Sequence, residues 1–170
     1  MKVKVFVLAF LVLAAQGLVC AKAQGAELVL KNGFGINTEV LYHSDMKTAV
    51  SFINPAVAIY GAAASWYKIG AGASLGLFKD RADEEKFFGA VYLSNKILFH
   101  KGEFDHKIYE LYLLGELGLS WIRGDKDGIC FGAGVSGVSE TGILVEMLYQ
   151  SYAVGTYNRI ALNLGYKFDL

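Results

Sequence analysis

A period of two, sustained over a dozen residues at a time, limits this chain more than any other feature. From Tyr109 to Trp121 the odd positions read Tyr, Leu, Leu, Gly, Leu, Leu, Trp, while the even positions include Glu110, Tyr112, Glu116, Gly118 and Ser120. Successive side chains of a strand point to opposite faces, so the extended segment has one greasy and one polar face. The pattern also runs from Leu30 to Tyr42, where Leu30, Phe34, Ile36, Val40 and Tyr42 oppose Lys31, Gly33, Gly35, Asn37 and Glu39. It closes the chain, with Ile160, Leu162, Leu164, Tyr166, Phe168 and Leu170 alternating with Arg159, Ala161, Asn163, Gly165, Lys167 and Asp169. No helical periodicity of any strength competes with it.

Weaker alternation covers Trp66–Phe78, Phe87–Phe99, Ile129–Val138 and Ile143–Tyr152. Eight strands are expected, near residues 27–43, 47–61, 65–79, 86–99, 107–122, 128–138, 142–152 and 157–169. The second is the poorest, because Pro55 removes a ladder donor and both its faces are apolar. With 170 residues there is room for one domain, and 54% apolar against 19% charged residues excludes a disordered chain. Sixteen basic residues balance sixteen acidic ones, which leaves no electrostatic footprint for nucleic acid.

The N-terminus corrects these totals. Lys2 and Lys4 precede an unbroken apolar run from Val5 to Ala15, and Ala21-Lys22-Ala23 has the small–x–small form that a signal peptidase accepts. Residues 1–23 read as a secretory signal peptide, cut before Gln24. A transmembrane anchor is the competing reading, but the run falls short of the ~20 residues a helical span needs. Loss of residues 1–23 removes Lys2, Lys4 and Lys22 and no acid, leaving 13 basic and 16 acidic residues, a net charge of −3. Cys20 leaves too, so Cys130 stands alone and residues 24–170 have no intrachain disulfide.

Strand length and face polarity separate membrane from water. A tilted strand crosses a bilayer with ~9–11 residues, whereas strands of soluble proteins average about 5–6. The polar faces here are rich in Gly, Ser and Ala and hold charges of both signs, which suits a narrow lumen; the continuous apolar faces suit lipid. Tyr42, Trp66, Tyr67, Phe78, Phe87, Phe99, Tyr109, Trp121, Tyr149, Tyr152, Tyr157, Tyr166 and Phe168 fall mostly near expected strand ends, where the two interfacial girdles lie. The expected fold is an all-β, eight-stranded antiparallel up-and-down transmembrane β-barrel over residues 24–170.

Several stretches carry a resemblance. The signal peptide, the alternating segments, Phe131-Gly-Ala-Gly-Val-Ser136 leading through a short turn to a strand with Glu146, and the closing Leu162-Asn-Leu-Gly-Tyr-Lys-Phe168 are together similar to the small outer-membrane β-barrel proteins of Gram-negative bacteria, the opacity type among them. That resemblance implies an outer-membrane location among lipid and lipopolysaccharide, and assembly by the β-barrel insertion machinery. The machinery reads an aromatic-rich last strand, here Leu162, Leu164, Tyr166, Phe168 and Leu170. The family stops at a terminal Phe, whereas Asp169 and Leu170 follow Phe168 here. It also implies periplasmic termini, hence outward loops at 43–47, 79–86, 123–128 and 152–156, and periplasmic turns at 62–65, 100–106 and 139–141.

Strand parity sends Lys31, Glu39, Lys68, Lys96, Glu110, Glu116, Glu146, Arg159 and Lys167 into the lumen. An unpaired buried ion costs several kcal/mol, so these nine must pair. Because first and last strands meet on closure, Lys31, Glu39, Arg159 and Lys167 are expected in one network. A salt-bridged plug and a conducting ion path use the same residues, and the plug is favoured. Among the loops, the charged run 79–86 reads as a solvated tip, a lipopolysaccharide contact or a host-surface contact. Arg123-Gly124-Asp125 matches the tripeptide that integrins recognise, and equally a tight hairpin turn.

Other motifs carry less. Gly132-Ala-Gly-Val-Ser-Gly137 has dinucleotide-binding spacing but no helix follows it, so its glycines read as close-packed lumen positions. His43 and Ser44 are adjacent and point to opposite faces, and His100, Asp105 and His106 share an expected turn. Neither set makes a catalytic or metal site, and no cofactor is expected. The reading is a monomeric outer-membrane barrel with a structural or surface-interaction, adhesion-like role; a narrow porin-like channel is the alternative, and a lipid A-modifying acyl enzyme stands third. A barrel of this kind is expected to migrate differently on a denaturing gel before and after boiling. Identical migration would exclude it.

Overall fold

The computed structural model describes residues 25–37, 50–51, 53–79, 85–123, 127–153 and 157–170. They hold nine strands: β1 (Ala26–Asn37), β2 (Val50–Ser51), β3 (Ala56–Ala64), β4 (Tyr67–Lys79), β5 (Glu85–Phe104), β6 (Lys107–Ile122), β7 (Asp127–Ser139), β8 (Ile143–Tyr152) and β9 (Tyr157–Asp169). From β3 to β9 each strand pairs antiparallel with the next, and β9 returns to β1 along Glu27–Asn37. On the other edge of β1, β3 lies opposite Ala26–Lys31 and β2 opposite Gly35–Ile36. These two are one wall strand in two pieces. The result is a closed ring of eight antiparallel strands, the architecture the alternation predicts.

The break in the second wall strand has a local cause. Pro55 has no N–H to give, and the chain leaves the ladder around it. Its backbone groups are nevertheless satisfied: the Pro55 carbonyl accepts from Leu75 N–H at 3.0 Å, and Asn54 N–H donates to the side-chain oxygen of Asn32 at 2.9 Å. Water is absent from hydrocarbon, so an orphaned N–H at this point would have no substitute partner.

The faces follow parity. Along β8 buried and exposed residues alternate from Ile143 to Gln150, and the outward row Leu113, Leu117 and Leu119 on β6 opposes the buried Tyr112, Leu114, Glu116 and Ser120. Three of the aromatic residues expected in the girdles instead point inward. Phe78, Tyr152 and Tyr157 are buried and pack with Phe88, Tyr92, Ile122 and Cys130 as one interior cluster. Closeness to a strand end suggested lipid, but each shares parity with the inward residues of its strand. Trp66, Phe99, Tyr149, Tyr166 and Phe168 are exposed on the outside, and Tyr42 lies outside the described residues.

Short turns at 65–66, 105–106 and 140–142 mark one end of the barrel, here the turn end. Both chain ends of the barrel lie there, because Leu170 N–H donates to Ala26 O at 2.8 Å and Lys167 N–H to Gly142 O at 2.8 Å. The opposite, loop end is where segments 38–49, 80–84, 124–126 and 154–156 connect the strands; these lie outside the described residues.

The expected turn at 100–106 needs correction. Strand β5 runs 20 residues to Phe104, and only Asp105 and His106 turn, both with positive φ (50° and 59°), as a two-residue hairpin turn requires. A shift in register between Leu98 and His100 puts His100 on the strand opposite Leu111. The cluster of charges looks like a loop in sequence, but its backbone stays paired with β6.

Within the dinucleotide-like string, Gly134 has no room for a side chain, since a Cβ there would lie 2.0 Å from Met147 O. Gly132 also faces inward, whereas Gly137 pairs with Leu111 and lies on the outer wall, which corrects its expected lumen position. Asn32→Leu leaves the Asn54 N–H without its acceptor and is expected to destabilise the barrel by about 1–3 kcal/mol. Urea unfolding in lipid vesicles measures the change.

Candidate functional site

The lumen of an eight-stranded barrel is just wide enough for side chains to fill, and it is where the ionisable residues of this chain converge. Four layers succeed one another from the turn end to the loop end. The first is a ring at the turn-end mouth. Glu27 receives Lys68 at 2.7 Å and Lys167 at 3.5 Å, Glu110 receives Lys101 at 3.2 Å and Lys68 at 3.9 Å, and Lys167 also meets Asp169 at 3.0 Å. Tyr112 donates a short hydrogen bond to Glu110. These groups are partly exposed, so each pair contributes little by itself.

Beneath the ring Val29, Ala58, Tyr60, Tyr112, Val138 and Leu144 form a dry layer. Past it lies a cluster of buried charges. Lys31 Nζ donates to Glu146 Oε2 at 2.5 Å and to Glu116 Oε1 at 3.4 Å, and Lys96 Nζ donates to Glu146 Oε1 at 3.2 Å. All four side chains are at most 4% exposed. Ser136 hydroxyl donates to Glu146 at 3.2 Å, and the Lys96 ammonium sits 4.5 Å above the Tyr60 ring, a cation–π contact. Two cations and two anions sum to zero within the layer. Gly132 makes space for it: a Cβ there would come within 2.9 Å of Glu116 Oε2.

The cluster continues toward the loop end as a hydrogen-bonded chain. Gln150 donates to Glu116 Oε2 at 2.9 Å and accepts from Arg159 through Nε at 3.1 Å and Nη2 at 2.7 Å. Arg159 also donates to Tyr152 OH at 2.9 Å and lies 4.9 Å from the Phe88 ring. With the Asn54 amide oriented to satisfy both its atoms, its oxygen accepts from Arg159 Nη2 at 2.6 Å and its nitrogen donates to Leu75 O at 2.9 Å. The aromatic layer follows, with Phe78 stacked on Tyr157 at 4.0 Å between ring centres.

Of the nine charges that parity sends inward, Lys31, Lys96, Glu116, Glu146 and Arg159 lie buried inside, Lys68, Glu110 and Lys167 stand at the turn-end mouth, and Glu39 is outside the described residues. Of the expected grouping, Lys31 and Arg159 share one network through Glu116 and Gln150, whereas Lys167 stands apart at the mouth. Lys31 reaches across the lumen to β6 and β8, Lys167 pairs with Glu27, and Arg159 binds Gln150 and Tyr152. Strand tilt sets adjacent-strand residues at different depths, and the narrow bore lets side chains meet across it. Glu27, Lys101, Gln150, Asn54 and the inward tyrosines join them without having been expected from sequence, although Tyr60, Tyr92 and Tyr112 share parity with inward neighbours.

The other candidates come together less. Arg123 is exposed at the end of β6, while Gly124 and Asp125 lie outside the described residues, as do His43 and Ser44. His100 lies 3.3 Å from Tyr109 OH, and His106 faces Glu103 at 3.6 Å on the exposed hairpin. Among the described residues no group of three or more His, Cys, Asp or Glu is placed to hold a metal ion. In the last strand Leu162 is half-buried, and Leu164, Tyr166, Phe168 and Leu170 are exposed.

No family model and no curated protein matches the chain. Solved structures do. The outer membrane protein Ail of Yersinia pestis in a phospholipid bilayer nanodisc aligns with a TM-score of 0.53 at 11% identity, over 85% of this chain and 100% of that one. A de novo designed transmembrane β-barrel aligns with 0.48 at 12% identity, covering 84% and 95%, and the crystal structure of Ail with 0.47 at 11%, covering 85% and 99%. The first of these likenesses carries the conclusion, which concerns the fold alone: the chain has the fold of a transmembrane β-barrel.

Lys31→Met leaves Lys96 to face two carboxylates and is expected to cost about 3–5 kcal/mol, the range for removing one partner of a buried pair. Lys31→Met combined with Glu146→Gln restores neutrality and is expected to recover part of that loss. Chemical unfolding of both variants in micelles measures the difference; equal losses would show that charge balance is not what the cluster provides.

Proposed function

We propose that the chain is exported through a signal peptide ending near Ala23 and inserted as a monomer into the outer membrane of a Gram-negative bacterium, where it is a closed barrel with a structural or surface-interaction role. The single observation that carries this reading is the filled lumen. A mouth ring of ion pairs, a tyrosine–aliphatic layer, the Lys31–Glu146–Lys96–Glu116 cluster and the Phe78–Phe88–Tyr152–Tyr157 stack occupy successive depths. A bore packed in this way holds its charges against one another and leaves no continuous water column. Chemistry with the outside then falls to the ends of the barrel and to its lipid-facing wall.

Loop-end segments 79–86 and 123–128 are the natural sites for a host or cell-surface ligand and for lipopolysaccharide, through their charged residues and Arg123-Gly124-Asp125. The exposed register Leu164, Tyr166, Phe168 and Leu170, with half-buried Leu162, supports reading by the insertion machinery. An acyl-transfer site needs a nucleophile beside a base on the lipid face. The described outer wall is largely aliphatic and aromatic, and the polar Asn32 and Asn95 within it are neither nucleophile nor base, so the non-enzymatic reading is preferred.

Planar-bilayer recording tests the plug. The purified barrel is expected to give no steady single-channel current. Steady steps in the wild type that disappear in Glu116→Gln would overturn the plug and make the lumen a narrow channel.

A further inference from the structure

The β5–β6 hairpin outruns β4 at the turn end, while β6 stays paired with β7 as far as Tyr109. Beyond Ile97, β4 has no residue left to pair with β5, and the last bond between them is from Leu98 N–H to Trp66 O at 2.8 Å. The hairpin nevertheless continues to Phe104 on one strand and from Lys107 on the other. Cross-strand partners share a face. His100 pairs with Leu111, Gly102 with Tyr109 and Phe104 with Lys107, and Leu111 shares its face with the lipid-facing Leu113 and Leu117. The Tyr109 ring lies over Gly102, where a Cβ would come within 2.5 Å of Cζ, and the His100 ring sits 5.7 Å from it. The opposite face carries Lys101, Glu103 and Glu110 together with Ile108, the partner of Glu103. The extension is therefore two-faced, its outer side aromatic with polar tips, its inner side mostly charged.

That outer side has no protein against it: Phe104 is 79% exposed and Phe99 52%, and Trp66 on the adjoining turn is 56% exposed. We infer that the β5–β6 hairpin is a lipid-binding paddle, which lays Phe99, Phe104 and Tyr109 into the headgroup layer of the adjacent leaflet with Lys107 reaching the phosphates. The inference rests on the membrane reading above. Two observations favour lipid over a protein strand as the occupant. The aromatic face is continuous with the wall that contacts hydrocarbon, so the same bilayer reaches it without a gap. The free edge of β5 carries Lys101 and Glu103, charges that oppose the addition of another strand. Tyr, His and Lys, which pair an apolar body with a polar end, are also the residues that settle at such an interface.

Single-tryptophan probes separate the paddle from the membrane reading on which it depends. Trp66→Phe and Trp121→Phe remove both native indoles. Into that background go Leu117→Trp, on the middle of the outer wall, or Phe104→Trp, on the paddle, and each protein is refolded into phosphatidylcholine vesicles. Leu117→Trp is expected to be quenched by phospholipids brominated along the chains. Phe104→Trp is expected to show blue-shifted emission, several-fold protection from acrylamide and quenching by bromines placed near the headgroup. If Leu117→Trp is quenched while Phe104→Trp emits as a water-exposed indole open to acrylamide, the paddle is wrong and the barrel stands. If Leu117→Trp escapes bromine as well, the membrane reading falls and the paddle with it.

Discussion

In hydrocarbon a backbone N–H or C=O finds a partner in the protein or has none, and this structure is arranged around that demand. Closing the sheet through β1 and β9 joins its two ends, and the break in the wall at Asn54-Pro55 is met by a borrowed side-chain oxygen from Asn32. The same demand explains why the polar half of each strand must turn inward. Once lipid claims the apolar face, every Lys and Glu of the period-two pattern has only the bore to occupy. A bore of eight strands is too narrow to hydrate them, so they bind one another. Exterior and interior are two consequences of a single alternation.

Much of this could be read from residue spacing, because parity is local. Lys31, Lys96, Glu116, Glu146 and Arg159 face inward as their positions dictate, and the strand limits of β6 and β9 agree with the pattern to within a residue. What spacing does not contain is depth. Which charges meet depends on tilt and stagger, and so Lys31 finds acids 85 and 115 residues away rather than the residues on the neighbouring strand. The inward rings of Phe78, Tyr152 and Tyr157 were misplaced for a different reason. They stand near strand ends, where a girdle is expected, but parity sets the face they take. The long hairpin was hidden because Lys101, Glu103 and Asp105 have the composition of a loop while keeping the pairing of a strand.

The interior is also ordered by polarity along the barrel axis. Exposed ion pairs lie at the turn-end mouth, dry tyrosines and aliphatics beneath them, buried ions deeper, and stacked rings toward the loop end. Tyrosine serves as the joint between layers: Tyr60 and Tyr112 are members of the dry layer whose ring faces receive Lys96, and Tyr112 also bonds Glu110 of the mouth. An amphipathic ring of this kind lets charged and apolar layers succeed one another, its hydroxyl meeting the polar layer and its ring the apolar one.

Lys31 belongs to β1, the strand that seals the ring against β9, whereas its two carboxylates stand on β6 and β8. An unsealed sheet therefore holds Glu116 and Glu146 without the cation that lies between them in the finished barrel. Zipping the seam and neutralising the core are one event. Before the seam closes, Lys96 faces both carboxylates of the cluster, and a seam joined in the wrong register sets Lys31 at another depth. The pairing that closes the ring is thus also the one that fixes Lys31 between Glu116 and Glu146.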